Sequence, residues 1–325
     1  MRLLMAWIAM AGMWLVAGPA AAQGEAAAGW PRQPIKLMIG FAAGGGNDLI
    51  ARVVGQKLSE RLGQPVVVEN KPGAGANIAA EAVARAAPDG YTLLVLPPAT
   101  CCINPAVYTK LPYDPLKSFE YVTIIAHFPI LLSVSADSPH KSVKELVDWA
   151  KANPAKANYA STSAFFQLIS ELFKQRTGAP IEHIPFKGSN EMMTAVLNGQ
   201  VTVAFIDAVA VMGQVKAGKA RVLATAGSKR YAELPDVSTL AEAGVTGVSV
   251  DGWSGLAAPK GTPAAIVKRL ADEIEAIVKL PDVEERFRVL GVAGGGGTPE
   301  PIGKRVEREM ATWIEVAKAA GIKLD

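Results

Sequence analysis

One stretch near the start of the chain decides the fold: residues 35–52 read IKLMIGFAAGGGNDLIAR. The apolar run Ile35–Ile39 predicts a buried strand, and the glycines at 44–46 end it in a turn. Over 48–61 the apolar residues recur at helical spacing. A strand, a glycine-rich turn and a helix in this order are typical of the repeating unit of an α/β protein.

The same alternation continues along the chain and ends in two helices. Further strands are predicted at 64–69, 91–96, 121–135, 157–160, 181–185, 201–206, 220–225 and 253–259. Helices are predicted at 76–87, 142–152, 166–177, 263–279 and 301–320, with others between the strands of the second half. The pattern predicts an α/β fold with mostly parallel sheets.

Two consecutive half-sheets with no disordered linker between them indicate two domains that share hinge strands. The long run at 121–135 is the natural first crossing, and 249–259 is the natural return, after which the C-terminal helices pack back on the first domain. The predicted boundaries are 30–127 with 250–325 for domain I and 128–249 for domain II. Ligands of such folds bind outside the carboxyl ends of strands, here in the cleft between domains.

The first 22 residues have the pattern of a secretory signal peptide: Arg2, an apolar run over 3–18 and the small residues at 19–22. A membrane anchor is the alternative, but the apolar run of 16 residues is shorter than the roughly 20 that a spanning helix needs. We therefore expect cleavage after Ala22 and export. No cysteine stands at the cleavage point, which disfavours a lipid anchor.

Charge and histidine spacing exclude several classes of function. Without Arg2, the 33 basic residues of the full chain become 32, against 30 acidic ones, so the mature chain is nearly neutral. A nucleic-acid or anionic-membrane partner would call for a basic excess. His127, His140 and His183 show no metal-ligand spacing, and no G-x-S-x-G motif occurs. We therefore predict no metal, no cofactor and no catalytic residue.

The adjacent cysteines Cys101 and Cys102 are the only two in the chain. Neighbouring residues have poor geometry for an ordinary disulfide, so two half-buried thiols are one interpretation. A strained vicinal disulfide is the other.

Two loops that follow predicted strands carry candidate binding groups. In the first, 41–48, three glycines allow a ligand close to the backbone, and the helix after them directs free N–H groups at an anion. A plain turn with Asn47 or Asp48 as helix cap is compatible with this role. Asp48 itself suits capping, an ion pair with Arg52 or a ligand ammonium better than an anion. The hydroxyls at 161–163 either donate to a ligand or cap the next helix.

The loop at 70–77 fails the test for a dinucleotide site. Ile78 stands where the third glycine of G-x-G-x-x-G belongs, and no acidic residue follows about 20 residues on. A phosphate loop is excluded because no G-x-x-x-x-G-K-[ST] occurs.

Short motifs in a fixed order resemble those of one family. The early ones are PIK at 34–36, GGGNDLIAR at 44–52, VENKPGAG at 68–75 and PDGYTLL at 88–94. The later ones are NP at 104–105, PFKG at 185–188, LPDV at 234–237, WSGL at 253–256 and Gly-Thr-Pro at 261–263. Together they resemble the Bug family, the solute-binding receptors of tripartite tricarboxylate transporters.

The resemblance implies a two-domain periplasmic-binding-protein fold of the type II, flytrap class, with a cleft between two mixed or parallel sheets. It implies a periplasmic monomer that binds a small organic carboxylate through loop backbone groups, partly through water, and delivers it to membrane transporter subunits. Carried over by position, the first-domain contacts are Phe41, Ala42, Gly45, Asp48, Ala99 and Thr100. The second-domain contacts are Ser161, Ser163, Ala164, Phe186 and Asp207. Asn47 and Thr162 of the same loops complete the candidate site.

The chain departs from the family in the second domain. Residues 161–164 replace its usual G-x-G-S, and Gln167 replaces a His three residues later. Phe186 stands for the Tyr of Y-K-G, and Ala195 for an Asp. These changes argue against the family's usual way of binding a second carboxylate.

The same segments carry several aromatic groups, which stack well on planar rings. We therefore predict an aromatic or largely apolar carboxylate rather than a succinate- or citrate-like acid. The alternative is that Phe165 and Phe166 point into the second domain's core. The aromatic groups are Phe41, Phe128, Phe165, Phe166, Phe186 and Trp253.

Two other functions share part of this pattern. A binding protein that feeds a signalling sensor has the same sequence features as a transport receptor. A secreted α/β enzyme acting on small acids is disfavoured because no catalytic pair is evident.

Overall fold

The computed structural model describes residues 29–186, 189–296 and 299–324, so the predicted signal peptide, 1–22, lies outside the described residues. Strands β1 to β10 are Ile35–Ile39, Val66–Asn70, Thr92–Leu96, Phe119–Ser135, Asn158–Ser161, Glu182–Pro185, Val203–Asp207, Ala220–Thr225, Asp251–Pro259 and Ala293–Gly294. Helices α1 to α10 are Gly46–Leu62, Asn77–Ala84, Asn104–Val107, Val143–Ala152, Ala164–Thr177, Ser189–Leu197, Ala208–Lys216, Ala264–Ile277, Pro281–Leu290 and Pro299–Ala320. A π-helical turn, Ala99–Ile103, precedes α3.

One mixed sheet runs through the molecule in the order β2-β1-β3-β9-β4-β7-β5-β6. The neighbours of β1 on both sides are parallel to it, and so are β6 and β7 to β5. Strands β9 and β4 run antiparallel between these two parallel halves. The prediction of an α/β fold is confirmed.

Strand β4, of 17 residues, belongs to both halves of the sheet. It pairs with β9 from Phe119 to Pro129, and from Ile130 onwards it pairs with β7 and β8. The partner therefore changes within the run that the sequence predicted as the first crossing. The domain boundaries, 30–127 with 250–325 and 128–249, stay a prediction.

Apolar residues pack on both faces of the sheet. On one face of the first half, Ile39 and Val95 pack in a cluster with Ile50 of α1 and Leu270 of α8. On the opposite face a larger cluster extends into the second half, and a third one fills the space around Ile206 of β7. Helix periodicity was a reliable guide here because each of these helices buries one apolar stripe.

The C-terminal region has two features that the sequence did not predict. The sequence predicted one helix over 263–279, whereas a second helix, α9, follows it directly with Pro281 in its first turn. The last helix, α10, was expected to pack back on the first domain. Its Trp313 also meets Phe165 of α5 edge to face, with the ring centroids 6.1 Å apart. Helix α10 therefore touches both halves of the sheet.

Candidate ligand-binding cleft

The carboxyl ends of the parallel strands in both halves converge on the middle of β4. At the end of β3, Leu96 lies beside Gly255, which pairs with Ile124 of β4. From the other half, Asp207 at the end of β7 pairs with Ile130. The buried pattern of β4 is interrupted between these points, where residues 127–129 are partly exposed. The loops that follow β1, β3, β5, β6 and β7 therefore surround one place, the cleft.

The loop at 41–46 brings backbone N–H groups to the cleft. Gly44 has a φ of 82°, a conformation that favours glycine. Gly45, with a φ of −77°, precedes α1 and offers no side chain to cap it. The first helical hydrogen bond runs from the N–H of Leu49 to the carbonyl of Gly45, at 3.0 Å. The N–H groups before it have no acceptor within the helix, so this end of α1 favours an anion.

The carboxylate of Asp48 holds this loop together. Its Oδ2 accepts hydrogen bonds from Gly44 N and from Arg52 Nε, both at 2.9 Å, and its Oδ1 accepts one from Asn70 Nδ2 at 2.9 Å. Asn70 Nδ2 also donates to the Phe41 carbonyl, at 3.1 Å. The side chain of Asp48 is 3% exposed. The ion pair with Arg52 that the sequence suggested is present, and both carboxylate oxygens are used inside the protein.

The pKa of Asp48 follows from these contacts. Burial by itself would raise this pKa, but the hydrogen bonds from Arg52, Gly44 and Asn70 outweigh burial and hold the pKa below its ordinary value. Asp48 therefore carries its charge at neutral pH, and a ligand anion is expected to meet the backbone of its helix and not its side chain.

The start of α7, in the second half, lies against the start of α1. A β-carbon placed on Gly46 would come within 3.6 Å of Val209 Cγ2. Asp207 caps α7 by accepting a hydrogen bond from Ala210 N at 2.9 Å. Burial raises the pKa of Asp207, and the Ala210 hydrogen bond opposes that effect. Asp207, a predicted contact, therefore already serves its own helix.

The hydroxyl groups of the loop at 161–164 take different positions. Ser161 is buried, and its Oγ lies 2.7 Å from Nε2 of His183 on the neighbouring strand β6. Ser163 precedes α5, but its hydroxyl makes no capping hydrogen bond within the described chain. Thr162, Ser163 and Ala164 are half-buried. The helix-capping alternative therefore does not hold for Ser163, and the start of α5 resembles that of α1.

The aromatic groups divide between core and cleft. Phe165 and Phe166 are 7% and 9% exposed and belong to the large apolar cluster, as the alternative interpretation expected. Phe128, in the middle of β4, lies over Gly252, where an added β-carbon would be 2.1 Å from Phe128 Cε2. Phe41 and Phe186 are half-buried at the ends of β1 and β6. Trp253, the sixth predicted group, is fully buried in the core, so only Phe41, Phe128 and Phe186 remain as candidate walls.

Three polar atoms in this region are buried without a hydrogen-bond partner among the described residues. They are Thr100 Oγ1, Asn47 Oδ1 and Ser254 Oγ. Thr100 follows β3, Asn47 lies in the first turn of α1, and Ser254 pairs with Ala126 of β4. Buried polar atoms normally find a partner, so unpaired ones near a cleft are consistent with a polar ligand or water there. Ala42 is exposed and Ala99 half-buried.

Sequence reasoning missed the roles of Asn70, His183 and Ser254. Asn70 was considered only as part of the loop at 70–77 and of a family motif, and the histidines only as metal ligands. The described residues contain no group of side chains that could hold a metal ion.

Cys101 and Cys102 are fully buried thiols with their sulfur atoms 3.3 Å apart, and burial raises the pKa of Cys102. No helix within the described ranges is long and apolar enough to cross a membrane.

A mixed sheet with long shared strands and a cleft at the converging strand ends defines the class of two-lobed α/β binding proteins. Within that class, the chain belongs to the tripartite tricarboxylate transporter receptor family, TctC, whose profile matches residues 50–319. It is a family of binding proteins and not of enzymes, and the resemblance to the Bug receptors is confirmed.

Similar proteins support this assignment. A UPF0065 protein from the gbd 5′ region of Cupriavidus necator is 40% identical over 279 residues, which cover 85% of this chain and 83% of that protein. BugT of Bordetella pertussis is 33% identical, with 91% of each chain covered.

Two solved structures have the same fold. Rpa4515 of R. palustris, solved with adipate, superposes with a TM-score of 0.85 at 36% identity and covers 91% of this chain and 99% of its own. MatC from Rhodopseudomonas palustris, with bound malate, gives a TM-score of 0.80 at 31% identity and covers 88% and 99%. The predicted periplasmic-binding-protein fold is therefore confirmed.

Proposed function

We propose that this chain is an extracytoplasmic receptor that captures a small organic carboxylate in the cleft and delivers it to membrane transporter subunits. One observation carries the proposal: two helices, α1 and α5, begin at the converging strand ends, and no side chain of the described chain caps either one. Uncapped helix starts bind carboxylates well because their N–H groups are free and their dipoles favour negative charge. The adipate and malate bound by the two related structures are both carboxylates.

The candidate contacts stay those predicted from the sequence, with one refinement. Gly45, Asn47 and Asp48 would act through backbone groups at the start of α1, because the Asp48 carboxylate is already used. In the second half Ser161, Ser163 and Ala164 would meet the other side of the ligand.

The ligand is proposed to have a largely apolar body. Phe165, Phe166 and Trp253 lie in the core, which removes three of the six groups behind this prediction. Phe41, Phe128 and Phe186 remain beside the cleft, and a second carboxylate buried against them would cost several kcal/mol without donors. A competition titration measures the relative affinities of the chain for benzoate, adipate and succinate. Tight succinate binding with no benzoate binding would remove the aromatic preference and leave the receptor proposal standing.

The substitution Gly45→Val tests the anion site. Gly45 has an ordinary negative φ, and a β-carbon there would lie 3.4 Å from the Ala42 carbonyl, so the fold should tolerate valine. The branched side chain would cover the start of α1 and keep a carboxylate away. We expect adipate to raise the melting temperature of the wild-type protein and not that of the variant.

Gly213→Val is the matched control, since Gly213 is exposed with open space around it. This variant should respond to adipate as the wild type does. Unchanged adipate affinity in Gly45→Val, measured by calorimetry, would exclude the assigned site.

Export is proposed from the N-terminal sequence. The mature chain should begin near Gln23 in a periplasmic fraction, as intact-mass measurement would show. A membrane-bound protein that retains Met1 would contradict cleavage.

A further inference from the structure

A serine and a histidine are paired at the edge of the cleft. Ser161 is the last residue of β5, and His183 lies on the adjacent edge strand β6, next to Tyr159 in register. Ser161 Oγ and His183 Nε2 are 2.7 Å apart, so one proton lies between them. Ser161 is 3% exposed and His183 is partly exposed. The cleft role proposed above does not use this histidine.

The surroundings fix the orientation of the imidazole. His183 stacks on the ring of Tyr159, with the centroids 5.0 Å apart and the planes 26° from parallel. Tyr159 in turn donates a hydrogen bond to Glu171 of α5 at 2.7 Å, and Glu171 pairs with Lys174 at 3.0 Å. Because the ring is held in this way, its Nε2 stays directed at Ser161.

The direction of the shared proton decides what Ser161 offers the cleft. A serine hydroxyl has one proton to donate and two lone pairs. When His183 Nε2 carries no proton, Ser161 must donate to it, and only lone pairs remain for a ligand. When Nε2 is protonated, it donates to Ser161, and the hydroxyl proton becomes free to bind a carboxylate.

We propose that His183 is a positioning residue that sets Ser161 to accept or to donate, and so makes carboxylate capture dependent on pH. The inference rests on the carboxylate site proposed above. Binding of a carboxylate next to Ser161 favours the protonated imidazole, so capture takes up a proton when the solution is neutral. Affinity for a carboxylate therefore rises as the pH falls through the pKa of His183.

The surroundings of His183 place this change below the ordinary pKa of a histidine. Burial lowers the pKa of His183, Glu171 raises it and Lys174 lowers it. Burial, Glu171 and the charge of Glu182, the residue before it on β6, all raise the pKa of Tyr159, so the phenol stays neutral. The imidazole of the free protein is thus uncharged at neutral pH, and we assign its single proton to Nδ1, so that Nε2 accepts from Ser161.

Calorimetric titrations of the full mature protein with adipate and with benzoate, at about pH 5.5 and about pH 8, test the inference. We expect the wild type to bind about tenfold more tightly at the lower pH, as a hydrogen bond to a charged group provides. In His183→Gln the amide nitrogen reaches the place of Nε2 and donates at both values, so the dependence should disappear while tight binding remains. Ser161→Ala should bind weakly at both.

His140→Gln is the control, because His140 lies against the ring of Trp149, tilted by 48°, and its pKa is also lowered by burial. The affinity of this variant should depend on pH as that of the wild type does. Because variant and wild type are compared at the same pH, protonation of the acids themselves affects both equally. A dependence that survives in His183→Gln would overturn the inference and point to His127, the remaining histidine of the three.

Nitrogen-15 shifts of the imidazoles decide the question without any ligand. At neutral pH, Nε2 of His183 should be unprotonated in the free wild type, and Ser161→Ala should change its tautomer balance or its pKa. A protonated Nε2 at neutral pH, or a titration that Ser161→Ala leaves unchanged, would overturn the inference. A wild type that binds neither acid would count against the carboxylate site instead, and the shifts would still decide the state of His183.

Discussion

The substitution Asp48→Asn should loosen the loop that carries the proposed anion site. Asparagine keeps one oxygen acceptor but puts an NH₂ group where the carboxylate now accepts from Gly44 N and Arg52 Nε, both at 2.9 Å. Arg52 is 51% exposed, so water replaces its partner and that loss is small. Most of the destabilisation comes from two other losses: the hydrogen bond from Gly44 N, and the negative charge of the oxygen that accepts from Asn70 Nδ2. Together they predict a loss of about 2–3 kcal/mol in the free energy of unfolding at neutral pH.

The pH dependence of this loss has a definite sign. The hydrogen bonds depress the pKa of Asp48 in the folded protein, so its contribution is complete above the unfolded value of about 3.9. The contribution disappears as the pH falls through the folded pKa. Wild type and Asp48→Asn should therefore differ at pH 7 and converge in strong acid.

Urea unfolding followed by circular dichroism measures the difference, with Arg52→Ala as the control. That control removes the exposed partner and should cost clearly less than Asp48→Asn does. An Asp48→Asn variant as stable as wild type at neutral pH, or a difference that persists in strong acid, would refute the role assigned to the carboxylate.

Three further predictions concern packing, capping and the thiols. Gly252→Ala would place a β-carbon 2.1 Å from the Phe128 ring and should lower the free energy of unfolding in urea by about 1–3 kcal/mol. Adding Phe128→Leu should recover part of that loss. Strictly additive losses in the double variant would show that the ring is not the obstacle. Ser142→Ala should cost about 1 kcal/mol because Ser142 accepts from Glu145 N, whereas Ser163→Ala should cost under about 0.5 kcal/mol; equal losses would contradict the distinction. Cys101 and Cys102 should resist thiol reagents in the folded protein and yield two thiols per chain after unfolding; no thiols after unfolding would indicate a vicinal disulfide.

The sequence predicted the order of elements well where pattern and burial agree. Ile35–Ile39 forms a strand that is buried at four of its five positions, and its apolar run marked it as one. Helix α9 was missed because Leu280-Pro281 looks like the end of a helix, whereas proline is equally at home in a first turn. Strand β10 is only Ala293–Gly294, which is too short to show a period.

The candidate loops could be located from the sequence, but the partners of their side chains could not. Ser161 and His183 meet because β5 and β6 pair side by side, and only the register of the sheet determines that contact. Phe165 could face either the cleft or the core on its helical position alone. Its partner Trp313 comes from the last helix, which the sequence pattern assigned elsewhere.

The last helix links the two halves by a route outside the strands. Trp253 of β9 donates its indole N–H to Glu309 at 3.1 Å, and one turn further along α10 Trp313 lies against Phe165. Phe165 is in the first turn of α5, directly after the loop that carries Ser161. Any movement of that loop therefore alters the surroundings of a tryptophan on the far side of the core. The fluorescence of Trp313 should therefore change when a ligand occupies the cleft.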